Sequence, residues 1–161
     1  MKPKQEHAPL NILLADDDTD ERLFFEKALK EIPIATHLTT VNNGEQLMNY
    51  LIENSDHLPD VLFLDLSMPR KTGFECLSEI KKNKKLKDLP VIMLSTSFPH
   101  DINYEQGLID LLYQIGAQDY IRKPSQFSQF KTIIQQSLTL IAQAMIEQPT
   151  RDNFVITVQN S

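Results

Sequence analysis

The sequence predicts an α/β protein built on a doubly wound, five-stranded parallel sheet. Short apolar runs bounded by turn residues recur at "LNILLA", "THLTTV", "DVLFLDL", "PVIMLST" and "QDYIRKP", and each is followed by a stretch with helical spacing. Strands that are apolar on both faces and alternate with helices require a parallel sheet covered on each side. A chain of 161 residues suits one such domain with a short appendage and is long enough to bury a sizeable core.

The elements follow in order. The first strand runs without a spacer into Asp16, Asp17 and Asp18, with Asp20 and Glu21 close behind. Asp18 followed three residues later by Glu21 is a capping-box-like helix start, and Asp20 and Glu21 suit the positive end of a first turn. Asp16 and Asp17 fall between strand and cap and are left as functional candidates. Phe25, Ala28, Leu29 and Ile32 form the stripe of the first helix, which Pro33 ends. Leu47, Met48, Leu51 and Ile52 mark the second helix; Phe74, Leu77 and Ile80 mark the third. Tyr104, Leu108, Leu111, Leu112 and Ile115 mark the fourth, closed by Gly116, and Phe127, Phe130, Ile134, Leu138 and Ile141 the fifth. These stripes are expected to be core faces.

The boundaries expected are an N-terminal extension over 1–9, a domain over 10–146 and a C-terminal tail over 147–161. In the tail, "EQPTRDNFVITVQNS", Pro149 stops the last helix and "NFVITV" has strand-like content. Packing on the domain edge, exchange between protomers and disorder all remain open for it.

Composition removes several function classes. The formal net charge of -6 opposes nonspecific attraction to nucleic acid or an anionic membrane. No apolar stretch approaches the roughly 20 residues that cross a bilayer, and "MKPKQEHAP" lacks the hydrophobic core of a signal peptide, so a cytoplasmic location is expected. The single cysteine, Cys76, cannot form an internal disulfide and lies in a helical pattern where a small packed side chain is common. The four histidines have no metal-ligand spacing, and "KKNKKLKD" reads as a solvated helix end and loop.

The site follows from topology. Five-stranded sheets of this kind commonly take the order 2-1-3-4-5 and bind ligands beyond the carboxyl ends of the strands, where the order reverses. Strands one and three then lie side by side, bringing Asp16 and Asp17 to Asp65. Three unpaired acids in a dry pocket are costly, and a divalent cation such as magnesium is their natural guest. Strand four ends in Ser95 and Thr96, and strand five in Lys123 with Pro124 behind it. Acids, a hydroxyl and an ammonium at successive strand ends make a phosphoryl site, in which metal and lysine neutralise oxygens while one carboxylate attacks.

With "ADDD", "LDLSMPRKTG", "MLSTS" and "DYIRKP" in this order on the expected elements, the chain resembles the receiver domain of two-component response regulators, the CheY-like family, over about Asn11 to Ala144. The resemblance implies a flavodoxin-like (βα)5 fold and a stand-alone phosphorylation switch or phosphorelay shuttle. It implies that Asp65 is the phosphoacceptor, charged by a sensor histidine kinase or phosphotransfer protein in a Mg2+-dependent reaction. Asp17 is then the direct metal ligand, Asp16 its companion acting through water, and the Ser67 backbone carbonyl a further ligand. Ser95 and Lys123 hold phosphoryl oxygens, and Thr96 and Ser97 are rivals of Ser95 in register. Tyr120 is the aromatic switch that turns inward as Ser95 moves, and Pro124 follows a cis peptide bond. Signalling passes to a downstream protein target, with no nucleic acid or membrane partner, from a monomer or a homodimer formed through helix 4, strand 5 and helix 5. Such a domain is not an enzyme on other substrates.

Between Ser95 and Tyr120 the chain is several residues longer than compact members of the family, with "SFPHDINYEQ" as the excess. Two other readings compete. A phosphatase of the haloacid-dehalogenase type uses similar groups but places its nucleophile near the first strand in a "DxD" pattern and usually carries a cap domain. A receiver fold kept only as a binding scaffold is disfavoured by the complete acid set.

Overall fold

A computed structural model describes residues 8–95, 102–145 and 147–157. The elements alternate as β1 (Leu10–Ala15), α1 (Thr19–Glu31), β2 (Thr36–Val41), α2 (Gly44–Glu53), β3 (Val61–Asp65), α3 (Gly73–Lys82), β4 (Val91–Ser95), α4 (Ile102–Ile115), β5 (Asp119–Arg122) and α5 (Phe127–Ala142). The strands are parallel in the order β2-β1-β3-β4-β5, as the sequence predicts, and the tail adds a sixth strand, β6 (Val155–Ile156), parallel to β5. Among the described residues no helix is long and apolar enough to cross a membrane.

Period-two alternation sends strand side chains to two separate cores. Leu13, Ala15, Leu62, Leu64, Val91, Met93 and Tyr120 pack under α2, α3 and α4 with Leu47, Leu77 and Leu112. Ile12, Leu14, Phe63, Ile92, Leu94 and Ile121 pack under α1 and α5 with Phe25, Leu29, Phe130 and Ile134. β3 and β4 are buried along their whole length, whereas β2, at the sheet edge, is mostly half-exposed and carries His37 and three threonines.

Helix ends follow the sequence. α1 stops at Glu31 ahead of Pro33, and α4 is closed by Gly116 at φ 118, whose N–H donates to the Leu112 carbonyl at 3.2 Å. Cys76 is buried in α3, where lost solvation pushes its thiol up to about 12, so it packs rather than reacts.

The expected helix stripes need correction at three positions, the first being Ile52 of α2, which is 58% exposed. Tyr104 and Leu111 are not core residues of α4: they are 70% and 49% exposed, whereas Leu112 is buried as expected and Ile109 joins it. A helix advances about 100° per residue, so the apolar stripe of α4 is wider than the face that β4 and β5 can cover. Of the fates left open for the tail, the described residues take packing on the domain edge. Phe154 is fully buried among Leu112, Ala117 and Tyr120, and β6 occupies the outer edge of β5.

Candidate functional site

The reversal of strand order between β1 and β3 places Asp16 and Asp65 at adjacent strand ends, and both are 2% exposed. Asp16 is held on several sides. Its N–H donates to the Val41 carbonyl at 3.1 Å, its carbonyl accepts from the Arg22 guanidinium at 2.8 Å, and its Oδ1 accepts from the Asp18 N–H at 3.0 Å. Its Oδ2 faces Lys123 Nζ at 3.2 Å. Asp18 in turn caps α1 by accepting from the Glu21 N–H at 3.1 Å.

Asp65 ends β3, and its Oδ1 is buried without a hydrogen-bond partner among the described residues. Burial is the main cause that lifts its carboxyl to about 7; the nearby Lys123 ammonium pulls it down, Asp16 and Glu21 push it up, and the Ser67 N–H steadies it. Burial likewise lifts Asp16 to about 6 against the pull of Lys123. Behind Asp65, α3 comes in closely: a Cβ on Gly73 would collide with the Asp65 carbonyl oxygen, and the Gly73 N–H donates to the Leu66 carbonyl at 3.0 Å. The "SMPRKTG" turn achieves that approach with Arg70 at φ 70 and a complete Thr72–Glu75 capping box.

Lys123 crosses from the end of β5 with its side chain 11% exposed, and Nζ lies 2.8 Å from Glu21 Oε2 as well as 3.2 Å from Asp16. The carboxylates of Asp16, Glu21 and Asp65 each place an oxygen within 4.8 Å of the others. This trio differs from the expected one. Asp17 is exposed, because Asp16 folds back to the Asp18 N–H and the chain turns outward after it. Glu21 joins the cluster from the first turn of α1, a residue that sequence reasoning assigned only to starting a helix. The readable signal was its position in the first turn of a helix whose N-terminus opens on the carboxyl end of the sheet.

The remaining candidates line a second recess. Ser95 is 6% exposed at the end of β4, with Oγ 3.5 Å from the Ile121 carbonyl. With Ser67, Tyr104, Leu108 and Tyr120 it borders a cavity of about 840 Å³, while Asp16, Glu21, Lys123 and Pro124 border another of about 270 Å³. Tyr120 is buried, its hydroxyl donates to the Glu105 carboxylate at 3.2 Å, and burial raises it to about 12. Thr96 and Ser97 lie outside the described residues, as does the first half of "SFPHDINYEQ". The expected cis bond before Pro124 is trans. The trans form of an X–Pro bond is favoured by about 0.5–1 kcal/mol, and Lys123 reaches both acids from it.

The donor set fits a hard divalent cation. Three clustered carboxylates, one with a buried oxygen lacking a partner, supply anionic oxygen ligands of the kind magnesium takes beside waters.

Comparison with known proteins agrees with this geometry. Residues 12–135 match the profile of the response regulator receiver domain. The chain is 33% identical over 101 residues to response regulator Rcp1 of Synechocystis sp., covering 60% of this chain and 69% of that protein. It is 29% identical over 139 residues to the sensor histidine kinase CheAY of Helicobacter pylori, covering 86% of this chain but spanning only 16% of that relative's length. Among solved structures, the phosphorylated cyanobacterial phytochrome response regulator RcpA superposes with TM-score 0.71 at 30% identity, covering 89% of this chain and 100% of that one. The Mn2+-bound form of Rcp1 gives TM-score 0.69 at 26% identity, covering 88% and 100%.

Proposed function

The chain belongs to the response regulator receiver family, and from that premise we propose that it accepts a phosphoryl group on Asp65 from a histidine kinase or phosphotransfer protein and signals by phosphorylation-dependent protein binding. The observation that carries the reading is the Asp65 carboxylate: buried, with one oxygen lacking a partner among the described residues, and within the electrostatic reach of Asp16 and the Lys123 ammonium. A phosphorylated neighbour and a Mn2+-bound neighbour among similar structures support the same reading.

An Asp65 oxygen attacks the phosphorus of a phosphoimidazole; the new O–P bond forms as the P–N bond breaks, and the imidazole leaves with a proton. Asp16, Asp17 and Asp65 would hold the cation, with the Ser67 carbonyl as a further ligand and the Glu21 carboxylate beside them, paired with Lys123. Bound Mg2+ would supply charge neutralisation for the phosphoryl oxygens. Lys123 holds one oxygen in the acyl phosphate and the Ser95 hydroxyl donates to another. Movement of Ser95 frees the space beside Tyr120, whose shift alters the α4–β5 surface for a downstream protein. A homodimer formed through α4, β5 and α5 would include β6, which lies along β5.

The test is intact mass after incubation with acetyl phosphate, with and without Mg2+, beside Asp65→Asn. A Mg2+-dependent gain of one phosphoryl group, absent in the variant, is expected. No gain from acetyl phosphate or from a histidine kinase rejects the reading, and steady turnover of a simple phosphate ester would favour a phosphatase.

A further inference from the structure

Two helices of this molecule open with the same pattern, an N-cap residue followed three positions later by glutamate, and only one of them closes the box. In α3, Thr72 Oγ1 accepts from the Glu75 N–H at 3.2 Å, and the Glu75 carboxylate reaches back to the Thr72 N–H at 3.1 Å. In α1 the first half is present, with Asp18 accepting from the Glu21 N–H. The return half is missing because the Asp18 N–H already donates to Asp16 Oδ1. Glu21 is therefore released from the local duty its position predicts, and its carboxylate turns inward to Lys123 at 2.8 Å, closer than Asp16 at 3.2 Å.

The consequence falls on Asp65. Lys123 is the ammonium nearest the phosphoacceptor, yet both of its contacts are to acids of the β1–α1 segment, and Asp65 Oδ1 is left without a hydrogen bond. Arg22 reinforces the arrangement from the same helix by anchoring the Asp16 carbonyl. Two of the three N–H donors of the ammonium are taken by these carboxylates, so a phosphoryl oxygen on Asp65 shares Lys123 with two competing anions.

Resting on the phosphoacceptor reading above, we propose that Glu21 is a positioning residue of the phosphoryl-transfer site: it tethers Lys123 toward α1 and competes with the phosphoryl group for that ammonium. The two carboxylates thereby set how readily the site is charged and how tightly the phosphoryl group is held. Removing the tether charge at Glu21 leaves the cap and the helix start in place, since Asp18 bonds to the backbone of residue 21 and not to its side chain.

The experiment compares wild type, Glu21→Gln and Glu21→Asp in three readouts. Binding of beryllofluoride, a phosphoryl mimic, is titrated at saturating Mg2+. Mg2+ affinity is measured alone by calorimetry. The environment of Lys123 is followed through its side-chain ammonium resonance in 15N-labelled protein, assigned with Lys123→Arg. Glu21→Gln is expected to tighten beryllofluoride binding by about three- to ten-fold, the range a half-buried ion pair commands, to shift the Lys123 resonance, and to change Mg2+ affinity less than about two-fold. Glu21→Asp is expected to fall between the two. Unchanged beryllofluoride binding with an unchanged Lys123 resonance overturns the proposal, and so does a Mg2+ affinity lost by about ten-fold or more, which would make Glu21 a ligand and not a tether. Wild-type protein that binds no beryllofluoride would instead reject the phosphoacceptor reading on which the proposal rests.

Discussion

The Tyr120 N–H donates to the Phe154 carbonyl at 3.0 Å, and the two rings lie 6.5 Å apart, so the tail residue packs beside the Tyr120 ring. The rest of the segment is fastened around that contact. Tyr113 donates to the Pro149 carbonyl at 2.9 Å, Gln148 donates to the Tyr113 and Ala117 carbonyls, and Arg151 pairs with Asp110 on α4 at 2.7 Å.

Phe154→Ala is therefore expected to cost about 3 kcal/mol, the usual result of truncating a buried aromatic, and to loosen β6 from β5. Urea unfolding gives the energy, and amide exchange at Tyr120 gives the local effect. Exchange at Tyr120 as slow in the variant as in the parent would show that Phe154 does not hold this edge.

Gly73→Ala should harm the site more than an exposed helix position would. The added Cβ meets the Asp65 carbonyl, so the β3 end must shift. The expected outcome is a loss of about 2 kcal/mol and a slower gain of phosphoryl mass from acetyl phosphate. Parental charging rates would mean that α3 tolerates the displacement without disturbing Asp65.

Asp119 gives a pH test away from the acid cluster. Burial raises its carboxyl from 3.8 to about 7, so between those values the folded state keeps a proton that the unfolded state has lost. Stability consequently falls as pH rises through that window. Asp119→Asn removes the effect: its melting temperature should exceed that of the parent at pH 8 by more than it does at pH 5. An equal difference at both pH values would refute this assignment.

Divalent cation should stabilise the fold because the three carboxylates converge only in the native chain. At about ten times its dissociation constant, Mg2+ should add roughly 1.4 kcal/mol, read as a rise in melting temperature that chelator reverses. Asp16→Asn should largely abolish the rise while folding normally. A full Mg2+ response in that variant would place the cation elsewhere.

Much of this was legible in sequence. Strand-end position fixes where a backbone leaves the sheet, so Asp16, Asp65, Ser95 and Lys123 could be placed at one face from hydrophobic periodicity and the strand-order rule alone. Tyr120 could be placed inward by alternation along β5. Helix ends at Pro33 and Gly116 were equally readable because their causes are local. The covered face of α4 was not, since Tyr104 and Leu111 have the right spacing yet stay 70% and 49% exposed.

By itself the sequence determined the αβ alternation and the set of chemistry-bearing strand ends, because both depend on periodicity and turn residues within a few positions, and the sheet order followed from the order such sheets commonly take. Only the tertiary structure decided that Glu21 faces Lys123 while Asp17 faces outward, and that the tail becomes β6 with Phe154 beneath it. Those outcomes depend on groups 102 residues apart in the ion pair and on a hydrogen bond from Tyr120 to Phe154. Side-chain direction at a helix start, and the docking of a short apolar strand, are chosen by whichever distant surface offers a partner, and no local pattern records that choice.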